Sequence, residues 1–193
     1  MAVKVITPPA AEPLSLEEAK KYLRVDEGND YDDALILSLI KQAREWCEDY
    51  QGKKYITQTL EFVLDCFPRE RQIEFTSCSP VKDVLSFKYT NKDGEIKDFE
   101  GYLLDKDSFV NKIVLGTSKS WPAIELLPVN GIRIQLTAGF GNALAVPESI
   151  KWAMVAHMKI LADGILLSLN NGEKEKFEKT RDSLLGMRRV KRV

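Results

Sequence analysis

The sequence predicts an α+β fold in which an antiparallel β region is inserted between two pairs of helices. Apolar residues recur at three- and four-residue steps before residue 52 and again after residue 147, as on the buried face of a helix. Between residues 56 and 138 the apolar period changes to two, which is typical of strands with one buried face. Each helix pair is too short to be stable alone. We therefore expect a four-helix core formed by the N- and C-terminal pairs, with the β region projecting from it.

The first helix pair is predicted in residues 14–55, after an arm of residues 1–13. The arm contains three prolines, so we expect it to be extended with few anchors. Ser15 is a good N-cap, and Glu18 three residues later completes a capping box. The second helix begins near the acids of residues 30–33, which favour the positive helix end, and stops at Gly52. Its buried stripe comprises Ile36, Leu39, Ile40, Ala43, Cys47 and Tyr50.

The inserted region, residues 56–138, is predicted to form six or seven antiparallel strands. Apolar residues recur at every second position from Leu60 to Cys66, with Val63 the one apolar residue between them, and again from Ile132 to Leu136. The run Asn91-Lys92-Asp93-Gly94 predicts a hairpin turn between two of the strands.

The second helix pair is predicted in residues 139–186. Pro147 opens the third helix, a position that proline favours. The turn Asn170-Asn171-Gly172 separates this helix from the fourth. Residues 187–193 form a basic tail with four cations, Arg188, Arg189, Lys191 and Arg192.

The chain as a whole has the composition of a soluble globular protein, and its net charge of −1 gives no overall attraction to nucleic acid or membranes. The charge is polarised, however. Residues 1–51 carry eleven acids against six bases, whereas residues 173–193 carry eight bases against four acids. Two solvated faces would explain this distribution. A subunit whose basic end meets an acidic surface on a neighbour would explain it equally.

The cysteines and the longest apolar stretch indicate in which cell compartment the protein is made. Cys47, Cys66 and Cys78 form no CxxC pair and leave one over, so we expect reduced, mostly buried thiols in a protein made in the cytoplasm. The apolar stretch near residues 150–169 is interrupted by ionisable residues and is too polar to span a membrane.

No motif in the sequence predicts catalysis, a cofactor or a metal site. The single histidine, His157, lies on the apolar stripe of the third helix, where a packed core or interface histidine is favoured over a metal ligand. The acidic turn of residues 26–33 lacks the spacing of a calcium loop, so we expect a structural or capping role. Gly139-Phe140-Gly141 lacks the lysine and hydroxyl residue of a phosphate loop. The sequence therefore predicts that the protein is not an enzyme.

Two regions remain that could bind a partner. The basic tail fits a subunit contact, a salt-sensitive contact with DNA, or a solvated terminus. Trp121 precedes Pro122 in an apolar loop of residues 118–128, which either binds a partner or packs over its own sheet.

Several runs of residues resemble the head–tail connector (adaptor) proteins of tailed bacteriophages. They are Ile6-Thr7-Pro8-Pro9, residues 14–20 with 23–26, residues 32–36 with Ile40, Ala43, Arg44 and Glu48, Gly52-Lys53 with residues 56–59, and residues 137–141 with 146–151. They follow one another in the expected order over nearly the whole chain. Residues 66–130 match only as a β-rich region, and the tail is more basic than the family pattern.

The resemblance implies a structural virion protein of the neck region, made in the host bacterial cytoplasm, with no catalysis and no membrane partner. Members of this family assemble as rings beneath the portal, typically of twelve subunits, extend the DNA channel and give the tail or a stopper protein a docking surface. DNA in the channel would be touched only in passing. The arm and tail could become ordered only on assembly, which would leave the free protein a monomer.

A ring needs a heterologous interface, which an acidic front and a basic rear would suit. The protein-interface candidates are Arg188, Arg189, Lys191, Arg192, Asp32, Asp33 and Trp121. Two competing hypotheses remain at this stage. The basic tail favours a DNA-binding or packaging accessory protein of a phage or prophage, and the loop around Trp121 favours a small hydrolase with an unrecognised site.

Overall fold

The computed structural model describes residues 2–26, 28, 30–187 and 189–190. The chain divides into two compact units. Among the described residues, the helical unit comprises those within 11–56 and 140–190, and the β unit comprises those within 2–10 and 57–139. The four α-helices found in the described residues belong to the helical unit, and the eight strands belong to the β unit. The predicted α+β class with antiparallel sheets is confirmed.

The strands and helices run in the following order along the chain. They are β1 (Ala2–Thr7), α1 (Leu16–Leu23), α2 (Asp33–Gln51), β2 (Gln58–Leu64), β3 (Gln72–Glu74), β4 (Val81–Thr90), β5 (Ile96–Asp98), β6 (Tyr102–Asp105), β7 (Lys112–Leu115), β8 (Ile132–Ala138), α3 (Glu148–Leu161) and α4 (Asn171–Gly186). A short 3₁₀ turn, Ala143–Ala145, precedes α3.

The helix ends of the first pair follow the sequence signals. Ser15 Oγ accepts a hydrogen bond from the backbone N–H of Glu18 at 3.1 Å, and the Glu18 carboxylate accepts from the Ser15 N–H at 2.8 Å. This is the predicted capping box. α2 begins at Asp33 and ends at Gln51. The next residue, Gly52, has a φ of 67°, the left-handed conformation that glycine adopts without a Cβ clash.

α4 begins earlier than the sequence predicts. Only Asn170 of the expected turn stays outside the helix, and Asn171 and Gly172 form its first turn. Asn170 Oδ1 accepts from the Glu173 N–H at 2.9 Å, while the Glu173 carboxylate accepts from the Asn170 N–H at 3.0 Å. Because this reciprocal cap satisfies two end groups, the helix can start at a residue pair that favours turns.

One apolar cluster occupies the interior of the helical unit. It combines the predicted α2 stripe from Ile36 to Cys47 with Leu14, Ala19 and Leu23 around α1, and with Ile150, Met154 and Met158 of α3. α4 differs from the other helices, because Leu185 is its one buried residue.

The β unit contains two antiparallel sheets. The larger has the strand order β1-β2-β8-β4-β5, and the smaller has the order β3-β7-β6. Seven of the strands lie between residues 58 and 138, in agreement with the predicted six or seven. The predicted hairpin turn joins β4 and β5, with Gly94 at a φ of 85°.

The N-terminal arm is better anchored than the sequence suggests. Residues 2–7 form β1, which pairs with β2 from Ala2↔Val63 to Thr7↔Thr59. The expectation of an arm with few anchors is wrong for this segment, because its β-branched side chains favour a strand. The strand ends where Pro8 and Pro9 begin, since proline cannot donate to a ladder.

Candidate subunit-interface residues

Asp33, one of the acidic interface candidates, is paired within its own helical unit. Its carboxylate lies 2.5 Å from Nζ of Lys20, whose side chain is 6% exposed. Hydrogen bonding to Asp33 raises the pKa of Lys20 above its ordinary value, against the opposing effect of burial. Asp32 is the half-buried residue immediately before α2. An interface role for these two aspartates stays a prediction. Asp33 already forms an ion pair with Lys20 inside its own subunit.

The start of the basic tail packs against the C-terminal end of α2. The Arg189 guanidinium lies over the ring of Tyr50, 4.5 Å from its centroid. The Val190 N–H donates to the Gln51 carbonyl at 2.9 Å, and the Val190 side chain is buried. The other three cations predicted at the interface, Arg188, Lys191 and Arg192, lie outside the described residues. The tail is therefore attached to the helical unit as far as residue 190.

Trp121 packs over the sheet of its own unit. Its indole N–H donates to the Glu70 carbonyl at 2.8 Å. Its ring stacks on Phe67 with the centroids 5.3 Å apart and an angle of 15° between the planes, and it also contacts Phe99 at 5.3 Å. The ring is half-buried. Of the two sequence interpretations, the structure shows the packed loop, and a partner for Trp121 stays a prediction.

An open cavity of about 590 Å³ lies beside this loop. It is lined by Asp65, Cys66, Phe67 and residues 122–128. The lining is mostly apolar, and its ionisable side chains, Asp65, Cys66 and Glu125, form no mutual hydrogen bonds or ion pairs among the described contacts. The arrangement offers a shallow apolar surface.

A buried polar network at the end of α2 escaped the sequence analysis. The Glu48 carboxylate, 1% exposed, accepts from the Tyr55 backbone N–H at 2.8 Å, from Lys54 Nζ at 3.1 Å and from Arg44 Nη1 at 3.3 Å. Gln51 donates to the Leu185 carbonyl at 2.8 Å and accepts from the Tyr55 hydroxyl at 2.8 Å. These bonds fix the chain as it leaves α2 and tie it to the end of α4.

The spacing of these residues could have revealed the network. Arg44, Glu48 and Gln51 recur at steps of four and three, one position after the apolar stripe. They therefore lie along its border, where a polar side chain on a packed helix is buried and needs a partner.

His157 is a packed core residue with a satisfied ring nitrogen, as the sequence predicts. It stacks on Trp46 with the ring centroids 4.3 Å apart. Arg181 Nη1 lies 3.1 Å from His157 Nδ1, and because a guanidinium can only donate, Nδ1 accepts. Burial and then the Arg181 charge lower the pKa of His157 to about 4, which keeps the ring neutral near pH 7.

Two of the three thiols are buried. Cys47 and Cys78 are enclosed, and Cys66 is exposed. Burial raises the pKa of Cys47 to about 12, so this thiol stays protonated and unreactive.

Neither a metal site nor a membrane span was found in the parts of the chain that the structure describes. Across residues 2–26, 28, 30–187 and 189–190, no three His, Cys, Asp or Glu side chains are grouped so that they could hold an ion. Over the same residues, every helix is too short or too polar to cross a bilayer.

The comparison with protein families finds a match for this chain. The model of the family described as phage gp6-like head-tail connector protein matches residues 13–113, just over half of the chain. The chain belongs to this connector family. It is a structural connector subunit of a phage-type particle, as the sequence resemblance implies. No curated protein matches the sequence.

Solved structures share the fold of this connector protein along its whole length. A chain in the neck of an empty GTA particle, computed with C6 symmetry, matches with a TM-score of 0.80. A chain in the virion of the native gene transfer agent (GTA) particle gives 0.76, and one in the native neck computed with C12 symmetry gives 0.72. Each is 20% identical, and each match covers 100% of this chain and 97% of the other.

Proposed function

We propose that the protein forms a ring of identical subunits, twelve in the virion, in the neck between the portal and the tail. The match to the connector family carries this proposal. The GTA neck structures, computed with C6 and C12 symmetry, contain chains of the same fold and support cyclic packing. In this role the chain is not an enzyme. It is made in the host cytoplasm and extends the channel through which DNA passes.

The helical unit suits a rigid building block. We propose that its four helices act as one core, with the helix pairs before and after the β region held together by the Gln51–Leu185 hydrogen bond and by the shared apolar cluster. The domain limits in this proposal are an N-terminal arm at residues 1–13 that includes β1, helix pairs at 14–55 and 139–186, a β insertion at 56–138 and a tail at 187–193.

The partners at the two ends of the ring are the portal and a tail or stopper protein. The uneven charge of the sequence, acidic in residues 1–51 and basic in residues 173–193, fits a heterologous contact in which unlike charges of two neighbours meet. A specific contact of this kind buries on the order of 800 Å² on each partner.

The ring is tested by measuring the mass of the purified full-length chain, alone and with purified portal. We expect ring-sized particles, or incorporation of the chain into portal complexes. A chain that stays monomeric and binds neither portal nor tail proteins would overturn the proposal.

A DNA-binding accessory role is distinguished by titrating the chain with duplex DNA at two salt concentrations. Binding through the tail would weaken steeply with salt, because it would depend on release of counterions. For the connector role we expect no mobility shift at low salt, since DNA is touched only in passing within the assembled channel.

A further inference from the structure

The five-stranded sheet has an uncovered strand at each end. β1 pairs only with β2, and β5 pairs only with β4, within the part of the chain that the structure describes. Five of the six residues of β1 and all three residues of β5 are exposed. An edge strand presents backbone N–H and C=O groups that can pair with another strand.

β1 has only two of the features that usually prevent edge strands from pairing, the lysine Lys4 and a register shift between Val5 and Thr7. It contains no proline and a single charge, Lys4, and it exposes apolar side chains at Val5 (53%) and Ile6 (50%). The β5 edge also carries an apolar side chain, Ile96, which is 68% exposed. Proteins that keep an edge strand apart generally place charges, prolines or a covering segment there.

The two edges have complementary charge. Lys4 makes no ion pair among the described residues, and its neighbour Glu61 on β2 is bound to Arg133 at 2.8 Å. Residues 93–100, which contain β5, carry four acids against one lysine, a balance of −3. The carboxylates of Glu95 and Asp98 are 63% and 71% exposed, so they remain accessible despite their contacts with Lys97 and Lys88. A basic apolar edge thus stands at one end of the sheet and an acidic apolar edge at the other.

We propose that β1 of one subunit pairs with the β5 edge of the next subunit, so that the partner at each edge is a second copy of this chain. This inference rests on the proposed ring and specifies one of its contacts. Because the two edges differ and lie at opposite ends of one sheet, their contact is heterologous and repeats from copy to copy until the ring closes. Backbone hydrogen bonds supply adhesion, and the Lys4 charge opposite the acids of residues 93–100 selects the correct edge.

Crosslinking through introduced thiols tests the pairing. The double variant Val5→Cys, Ile96→Cys is made in a Cys66→Ser background, so that the exposed native thiol is removed. Within one chain β1 and β5 are separated by four strand spacings, roughly 19 Å. A bismaleimide with a reach well below that distance can therefore join the two thiols only between copies. The assembled particles are treated with this reagent and analysed on a denaturing gel, with the mass of the untreated particles measured in parallel.

We expect a ladder of dimers, trimers and higher species from the double variant. Each single-cysteine variant should give no species beyond a dimer, because a chain with one thiol cannot extend a head-to-tail series. Ring-sized particles without the ladder would overturn the strand pairing and leave the ring intact. Particles that never exceed the monomer mass, both alone and with purified portal, would reject the ring and, with it, the pairing.

Exchanging the charges of the two edges tests the pairing independently, with the assembled fraction as the measured quantity. Lys4→Glu should lower the assembled fraction at least tenfold, because it places a carboxylate against the acidic edge. Adding Glu95→Lys and Asp98→Lys in the same chain should restore assembly. Lys106→Glu, a matched reversal on an exposed lysine outside both edges, should leave assembly unchanged. If Lys4→Glu assembles normally, or if the exchange fails to restore assembly, the two edges do not meet.

Discussion

Single buried polar residues hold together the chain segments at the end of α2 in the helical unit. Glu48 shows this most clearly, since its carboxylate holds a backbone N–H and two cations while almost fully shielded from water. Removing one member of such a group leaves the others buried without a partner, which costs more than the bond itself contributes.

Glu48→Gln tests the strength of this network. The substitution keeps the shape but removes the charge that Arg44 and Lys54 share, so we expect a loss of about 2 to 4 kcal/mol in the free energy of unfolding. Arg44 retains Glu12 at 2.7 Å, which limits the loss. Chemical denaturation measures it. Glu45→Gln is the control: Glu45 also lies near Arg44, at 3.5 Å, but is 53% exposed, and its loss should stay below about 0.5 kcal/mol. If the two substitutions lowered the free energy of unfolding equally, the buried Glu48 network would not be a major source of stability.

His157 predicts how stability depends on pH. Its pKa is about 4 in the folded protein and near 6.5 in the unfolded chain, so between these values the unfolded state binds more protons. Stability contributed by this residue is therefore complete above pH 6.5 and falls as the pH drops towards 4.

The comparison is made between the natural chain and His157→Gln, which keeps an acceptor for Arg181 and cannot be protonated. Relative to the variant, the natural chain should lose on the order of 1 kcal/mol between pH 7 and pH 5. Urea unfolding at several pH values measures the difference. A constant difference across this range would show that His157 titrates normally in the folded state.

At the scale of elements, local signals placed most helix ends correctly because each end has its own chemistry. Ser15 and Glu18 cap α1, and Gly52 ends α2, in both cases through groups within four residues. The start of α4 was missed because the turn preference of Asn171-Gly172 competes with the reciprocal cap between Asn170 and Glu173.

The sequence of the loop at residues 118–128 does not by itself show whether the loop binds a partner or packs on its own unit. Its apolar residues fit either a binding surface or packing onto the sheet. The choice depends on Phe67, which lies 54 residues before Trp121 in the chain and supplies the surface on which it stacks.

Trp121→Ala should therefore destabilise the β unit by about 2 kcal/mol, less than for a fully buried tryptophan because the ring is only half-buried. Trp121→Phe keeps the stack and loses only the bond to Glu70, so about 1 kcal/mol is expected. Thermal unfolding measures both variants. If Trp121→Phe folds normally but fails to assemble, the indole has a partner outside its own chain.

At the scale of the whole molecule, the distribution of charge along the chain says more about binding partners than the net charge does. A net charge of −1 predicts nothing about partners, whereas an acidic N-terminal region and a basic C-terminal region predict a directional contact between copies. The tail belongs to this scale, because Arg189 and Val190 attach it to α2 before its last residues.

Replacing Arg188, Arg189, Lys191 and Arg192 together by alanine should leave the protein folded and reduce assembly at least tenfold. The loss in folding stability should be about 1 kcal/mol, since the Arg189–Tyr50 contact is the one described contact of these side chains that the change removes. Circular dichroism and particle mass measure the two effects. Arg189→Ala alone is the control for that contact. Unchanged assembly of the fourfold variant would make the tail a solvated terminus.

The sequence by itself determined the α+β class, most helix ends, the hairpin at residues 91–94 and the connector resemblance. All of these depend on residues close together in the chain or on a periodicity within one element. Only the tertiary structure decided that residues 2–7 form an edge strand, that the buried Gln51 side chain bonds to Leu185 near the end of the chain, and that Trp121 stacks on Phe67 within its own β unit. Each of these depends on which segments meet in space. A residue's own neighbours in sequence do not specify the surface that will cover it.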